Sequence, residues 1–145
     1  MLDVLAFLLK NGSHAVVFHR AAGYVLLVGA VVSLATALTG YIDWLDTRKG
    51  TQIRRMANAH AWTMITMTVL VLVDIALRYF ANGYDGPCGA LALLGVLILG
   101  LAIVGGTLGG TMVYDFGFNV ETASDNPVYH PSDHDIIHPH DKPAD

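Results

Sequence analysis

Three apolar stretches constrain this chain more than any other feature. Residues 21–42 and 88–114 contain no Asp, Glu, Lys, Arg or His, and residues 61–80 contain only Asp74 and Arg78 among these types. About 20 helical residues cross a bilayer core of about 30 Å. A helix satisfies its own backbone polar groups, as lipid requires. We therefore predict an all-α fold, an integral membrane bundle of three transmembrane helices.

The composition agrees with lipid as the main solvent. Of the 145 residues, 54% are hydrophobic and 14% are charged, whereas about 25% charge is usual in soluble domains. The single cysteine, Cys88, excludes an internal disulfide and a cysteine-cluster metal site.

Polar residues divide the chain into three predicted segments. Residues 1–13 form a short interfacial segment that contains a short helix, residues 14–116 form the transmembrane domain, and residues 117–145 form an extended, polar, acidic tail rich in histidine. Breaker residues predict a turn at 81–87. The predicted helices span roughly 14–44, 58–80 and 89–114, and a polar loop at 45–59 joins the first two.

Basic residues predict the orientation. The loop at 45–59 carries Arg48, Lys49, Arg54 and Arg55, whereas the turn at 81–87 carries neither Lys nor Arg. Short loops rich in Lys and Arg remain in the cytoplasm. We therefore expect a multi-pass protein of the bacterial inner membrane with this loop inside, the N-terminal segment outside, and the tail in the cytoplasm.

Four glycines near the end of the third helix predict close helix packing. Gly105 pairs with Gly109 and Gly106 with Gly110 at a spacing of four residues. Small residues at this spacing let helix backbones approach each other in lipid. The alternative is a close approach of a cofactor ring to the same surface.

Two charged residues lie inside the second span. Asp74 and Arg78 are four residues apart, so they share one face of a helix and can pair. An isolated charge in lipid costs at least about 2.5 kcal/mol, so such residues usually face protein or water. We predict a buried ion pair. The alternatives are a proton or substrate pathway, and an Arg78 side chain that snorkels to the outer surface.

Three polar or aromatic residues are expected at one membrane boundary. Asp43 ends the first helix, His60 begins the second, and Tyr114 ends the third. This grouping could bind a quinone headgroup, orient a haem ligand or move protons. Alternatively, Trp44, Trp62 and Tyr114 form an ordinary aromatic belt, and Asp43 bonds a helix end.

The positions of the histidines along the helices limit which pairs could bind a b-type haem. His14 and His19 are five residues apart and do not share a helix face. His19 and His60 are expected at opposite membrane levels, so a continuous first helix excludes a haem bound by both. His60 could still be one ligand, with the second supplied by a partner.

The tail offers candidate metal ligands. Its four histidines are His130, His134, His138 and His140, and three aspartates accompany them. Imidazole and carboxylate groups could bind Zn²⁺ or a similar ion. The alternative is a solvated acidic tail.

Several motifs resemble one known family. They are residues 39–44 (Thr-Gly-Tyr-Ile-Asp-Trp), His60, and residues 105–114 (Gly-Gly-Thr-Leu-Gly-Gly-Thr-Met-Val-Tyr), followed by Gly117 and Val120. Over residues 21–120 the chain resembles the DUF2231 family, small predicted bacterial membrane proteins of unknown function.

The resemblance implies four spanning helices, the first carrying a histidine. Only residues 2–9 precede the expected second helix, so a partner is expected to fill the gap. Some relatives resemble fusions to electron-transfer domains, which implies a redox neighbourhood.

These observations predict a small accessory subunit of a bacterial electron-transfer or respiratory membrane complex. Its partners would be the lipid bilayer and other membrane subunits, not nucleic acid. The sequence has no nucleophile–base pair and no phosphate loop, so we do not expect the chain itself to be catalytic. Two alternatives remain: a redox subunit that binds haem b or quinone, and a metal or proton transport component using Asp74 and the tail histidines.

Overall fold

The computed structural model describes residues 1–80 and 86–118. Within these ranges it contains four α-helices and no strand. The helices are α1 (Leu2–Leu8), α2 (Ala15–Asp46), α3 (Gln52–Phe80) and α4 (Gly89–Tyr114). The last three are long and apolar enough to cross a membrane, which confirms the prediction of an all-α bundle with three spans.

Two predicted features fall outside the described ranges. Most of the predicted turn lies at residues 81–85, and most of the tail lies at residues 119–145. The candidate metal ligands His130, His134, His138 and His140 therefore lie outside the described residues.

The loop between the first two spans is shorter than predicted. α2 ends at Asp46 and α3 begins at Gln52, so only residues 47–51 connect them and the predicted loop at 45–59 was too long. The Arg54 amide donates to Thr51 Oγ1 at 3.4 Å, which caps the new helix end. Ile53 and Met56 are buried, and this packing stabilises the extra turns despite their charged neighbours.

The chain turns back on itself after α4. Gly117 has a φ of 62°, and its amide donates to the Val113 carbonyl while the Phe118 amide donates to the Met112 carbonyl. The bond from Gly117 to Val113 is that of the αL C-cap motif, for which glycine is favoured because the conformation is left-handed. Phe118 is buried in the apolar cluster with Met56 and Met112. Residues 117 and 118 therefore pack with the helices.

α1 packs between α2 and α4. α3 contacts both α2 and α4, whereas α2 and α4 contact α1 but not each other over the described residues. Ala6 is fully buried, and an added Cβ on Gly89 would lie 3.3 Å from the Phe7 ring. The predicted short N-terminal helix is thus present and packed against the bundle.

Beyond α1, the same faces of α2 and α4 continue without a neighbour. On α2, His19 and Ala22 are buried, and Gly29, Ser33, Thr36 and Gly40 follow at alternating spacings of three and four residues, which keeps them on one helix face. An added Cβ on Gly29 or Gly40 would meet nothing within 4 Å.

The corresponding surface of α4 also contacts α1 at one end and lacks a neighbour farther along the helix. An added Cβ on Gly95 would lie 3.9 Å from Asp3 of α1, whereas one on Gly106, eleven residues later on the same face, would meet nothing within 4 Å. We name this surface the small-residue slot, defined by Gly29, Ser33, Thr36 and Gly40 of α2 and Gly106 of α4.

Candidate functional site

The site begins with an ion pair on α3. Asp74 and Arg78 are one helical turn apart, and Arg78 Nε donates to Asp74 Oδ1 at 2.6 Å. Asp74 is 0% exposed and Arg78 is 2% exposed. Arg78 therefore points into protein and does not snorkel to the surface.

Residues from two other helices complete a charged cluster. Arg78 Nη2 lies 2.5 Å from Asp3 Oδ2 of α1. Arg78 Nη1 donates to the His19 carbonyl of α2 at 3.0 Å and lies 3.2 Å from His19 Nδ1. We call Asp3, His19, Asp74 and Arg78 the charged cluster; its guanidinium joins α1, α2 and α3.

The charges of the charged cluster do not cancel when His19 is neutral. With both carboxylates ionised, two negative charges face one guanidinium, which gives a formal net charge of about −1. Within the described part of the chain, Asp3 Oδ1, Asp74 Oδ2 and His19 Nε2 are buried without a hydrogen-bond partner. Buried polar atoms of this kind are rare and costly. The cluster therefore has unused hydrogen-bonding capacity.

Sequence reasoning found only half of the charged cluster. It singled out Asp74 and Arg78, considered His19 only as a haem ligand, and did not consider Asp3. A signal existed: Asp3 is the only charged residue of the apolar segment Leu2–Leu8, and Arg78 is the only basic residue in the three apolar stretches. Pairing the acid Asp3 with the base Arg78 could therefore have been predicted from the sequence.

His60 lies near the opposite end of the bundle. Its Nδ1 is 2.9 Å from the Gly105 carbonyl oxygen of α4. Because a carbonyl only accepts, Nδ1 carries the proton, and Nε2 of a neutral ring keeps its lone pair. The ring packs over Gly109, where an added Cβ would lie 3.2 Å from Cε1.

The four glycines divide between two faces of α4. An added Cβ on Gly105 would lie 2.7 Å from Met64 Sδ, and Gly109 faces His60, so this pair packs on α3. Gly106 has open space, and the nearest atom to a Cβ on Gly110 belongs to Tyr114 of the same helix. Gly106 and Gly110 therefore make no close contact with another described helix.

The structure does not assemble the predicted grouping of Asp43, His60 and Tyr114. No hydrogen bond joins these three side chains in the described ranges, and Tyr114 is 87% exposed. His60 bonds α4 instead. A cofactor site built from Asp43, His60 and Tyr114 therefore stays a prediction, and Tyr114 points away from the bundle.

The positions of the possible ligand side chains limit where a metal ion or a haem could bind. Residues 1–80 and 86–118 contain no group of three or more His, Cys, Asp or Glu side chains able to hold a metal ion. α2 is continuous, so His19 and His60 remain at opposite ends and cannot share one haem.

Three apolar spans around a buried charged cluster define the chain as an integral membrane protein. It belongs to the DUF2231 family of predicted membrane proteins, which matches residues 1–122. The match includes α1 and so extends beyond the resemblance over residues 21–120. No curated protein and no solved structure matches the chain.

Proposed function

We propose that the chain is a small accessory subunit of a larger bacterial membrane complex, and that an apolar helix of a neighbouring subunit occupies the small-residue slot. The carrying observation is the continuity of this slot with the interface that α1 makes. α1 occupies one part of the space between α2 and α4, and the adjoining part has no occupant from the described residues.

The chemistry of the slot favours an apolar helix. Ser33 Oγ donates to the Ala30 carbonyl at 2.9 Å, and Thr36 Oγ1 donates to the Ser33 carbonyl at 3.1 Å. Both hydroxyl protons are therefore used within α2. Helices associate in lipid by close backbone approach over small residues, so the slot suits a partner helix through shape rather than charge.

The finer assignment to an electron-transfer or respiratory complex of the inner membrane has separate support. It rests on the resemblance of some family relatives to fusions with electron-transfer domains. The accessory role and the redox setting are therefore separate parts of the proposal.

Native extraction tests both parts. Membranes containing the full chain would be solubilised in mild detergent and the assembly identified by native mass spectrometry. We expect Thr36→Leu to reduce co-purification of the partner at least about tenfold, because the larger side chain fills the slot. Ala35→Leu is the matched control, since Ala35 is exposed and lies about 100° around α2.

The outcomes separate the two parts. A wild-type chain that extracts as a stable monomer, or equal loss in both variants, contradicts the accessory role. A partner without haem, flavin, iron–sulfur or quinone sites contradicts only the redox setting.

A second candidate is a redox subunit that binds haem b or quinone at His60. The bond from Nδ1 to the Gly105 carbonyl supports it, because histidine ligands commonly donate their other ring N–H to a carbonyl. A second ligand would come from another chain. We expect a Soret band that His60→Ala removes and His14→Ala keeps; a colourless protein after expression with ample haem rejects the haem version.

A further inference from the structure

We propose that the charged cluster is a proton-binding site, in which His19 Nδ1 changes partner from Arg78 to Asp3 when it takes up a proton. This inference does not depend on the small-residue slot or on a partner subunit.

The geometry defines the unprotonated form. Arg78 Nη1 lies 3.2 Å from His19 Nδ1. A guanidinium has only donors and remains charged, so Nδ1 must be the acceptor and carries no proton. The single proton of the neutral ring is then on Nε2, which is buried without a hydrogen-bond partner.

One added proton would balance the formal charges around His19. Asp3 faces it from α1, and Asp74 and Arg78 face it from α3. α4 brings Gly95 near Asp3, and Gly89–Tyr114 contains no charged residue. The four groups therefore change from a net charge of about −1 to about zero on binding H⁺. Neutralisation is favoured because an uncompensated buried charge is costly.

Protonation of His19 would also give a hydrogen-bond donor to Asp3 Oδ1. Once Nδ1 binds H⁺ it can no longer accept from Arg78. Asp3 Oδ1 lies 3.7 Å from Nδ1 and has no hydrogen-bond partner. A shift of about 1 Å brings the two atoms to the separation of a charge-assisted bond. Arg78 keeps its bond to the His19 carbonyl, so the ring can move while the backbone stays fixed.

The step needs no other reactant. A proton from water binds the lone pair of His19 Nδ1, and the hydrogen bond from Arg78 Nη1 to Nδ1 breaks. Nδ1–H then donates a new hydrogen bond to Asp3 Oδ1. No electron moves. In the protonated form the imidazolium links α1 to α2 directly, in addition to the link through Arg78.

Histidine nitrogen-15 magnetic resonance of the full chain in lipid bilayers tests the site. The titration would run from about pH 8 to about pH 5, where histidine normally changes charge. We expect one histidine signal with an unprotonated Nδ1 at the alkaline end and two protonated nitrogens at the acidic end. His19→Gln should remove this signal, and His14→Gln should keep it.

His14→Gln is a matched control because His14 is exposed and precedes His19 by five residues. A His19 signal with a protonated Nδ1 at the alkaline end, or one that does not change over the range, overturns the proposal.

A second variant tests the change of partner. Asp3→Asn removes the negative charge beside Nδ1, so we expect the proton affinity of His19 to fall at least about tenfold. Asp3→Glu should restore most of it. If Asp3→Asn does not fold, the distance from Nδ1 to the Asp3 carboxyl carbon is measured in the wild type; it should shorten on acidification, and a constant distance contradicts the proposal.

Discussion

At the residue scale, Arg54 shows how one basic side chain can end a helix. Its Nη1 donates to the carbonyls of Trp44 and Thr47, at 2.6 Å and 3.1 Å, and to Thr47 Oγ1 at 2.8 Å. The guanidinium carbon also lies 3.5 Å from the Trp44 ring centroid. The last carbonyls of a helix lack partners within it and favour nearby cations, so Arg54 stabilises the end of α2.

We predict that Arg54→Lys lowers the free energy of unfolding by about 1–3 kcal/mol, because an ammonium cannot reproduce the planar fork and its stacking on Trp44. Thermal unfolding in detergent, followed by tryptophan fluorescence, measures the change. Arg48→Lys, in the neighbouring loop 47–51 and exposed, should leave the midpoint nearly unchanged. Equal midpoints for both variants would contradict this role.

Individual residues also show what the sequence could predict about the site. Asp74 and Arg78 pair within one helix, so their spacing alone predicts the contact. The contacts to Asp3 and His19 depend on where α1 packs, and no spacing rule covers three separate helices. The predicted trio of Asp43, His60 and Tyr114 rested on membrane level, which does not determine which way a side chain points.

At the element scale, α4 has two glycine faces with different neighbours. Gly109 contacts a ring held by a hydrogen bond, whereas Gly106 has open space. The two residues are three positions apart in the same helix, so they share its backbone environment. Comparing the same substitution at Gly106 and at Gly109 therefore separates the effect of side-chain packing from the effect of helix propensity.

We predict that Gly109→Ala destabilises the isolated chain by about 1 kcal/mol relative to Gly106→Ala. The new methyl group would crowd His60, whereas Ala at 106 only gains helix propensity, about 1 kcal/mol in favourable cases. Unfolding in detergent gives the comparison. Gly106→Ala should instead weaken partner binding at the small-residue slot, and equal stability of the two variants would show that His60 moves freely.

The start of α3 shows why element boundaries were harder to predict than elements. Residues 52–57 carry two arginines, and hydropathy therefore assigned them to a loop. Their apolar members pack on the residues that follow α4. That support comes from residues far away in the sequence, so the local pattern could not reveal it.

At the scale of the whole molecule, the three spans place Cys88 and loop 47–51 at opposite ends of the bundle. We predict that a membrane-impermeant maleimide labels Cys88 in intact cells, because we expect the basic loop to face the cytoplasm. Lys49→Cys in a Cys88→Ser background should be labelled only after cell lysis. The reverse pattern would invert the orientation, and labelling after detergent denaturation verifies that both thiols are reactive.

The overall architecture was predictable because lipid leaves few choices for long apolar segments. The small-residue slot was not, because it arises where a short helix packs between two longer ones. Small side chains on α2 and α4 indicated close packing in the sequence, but the partner of each face required the fold.

The arginine that joins three helices also imposes an order on biogenesis. Asp3 leaves the ribosome long before Arg78, so its carboxylate meets the membrane without a counter-ion. The guanidinium arrives only with α3, so we expect α1 to dock on the bundle after the two spans that follow it in the chain.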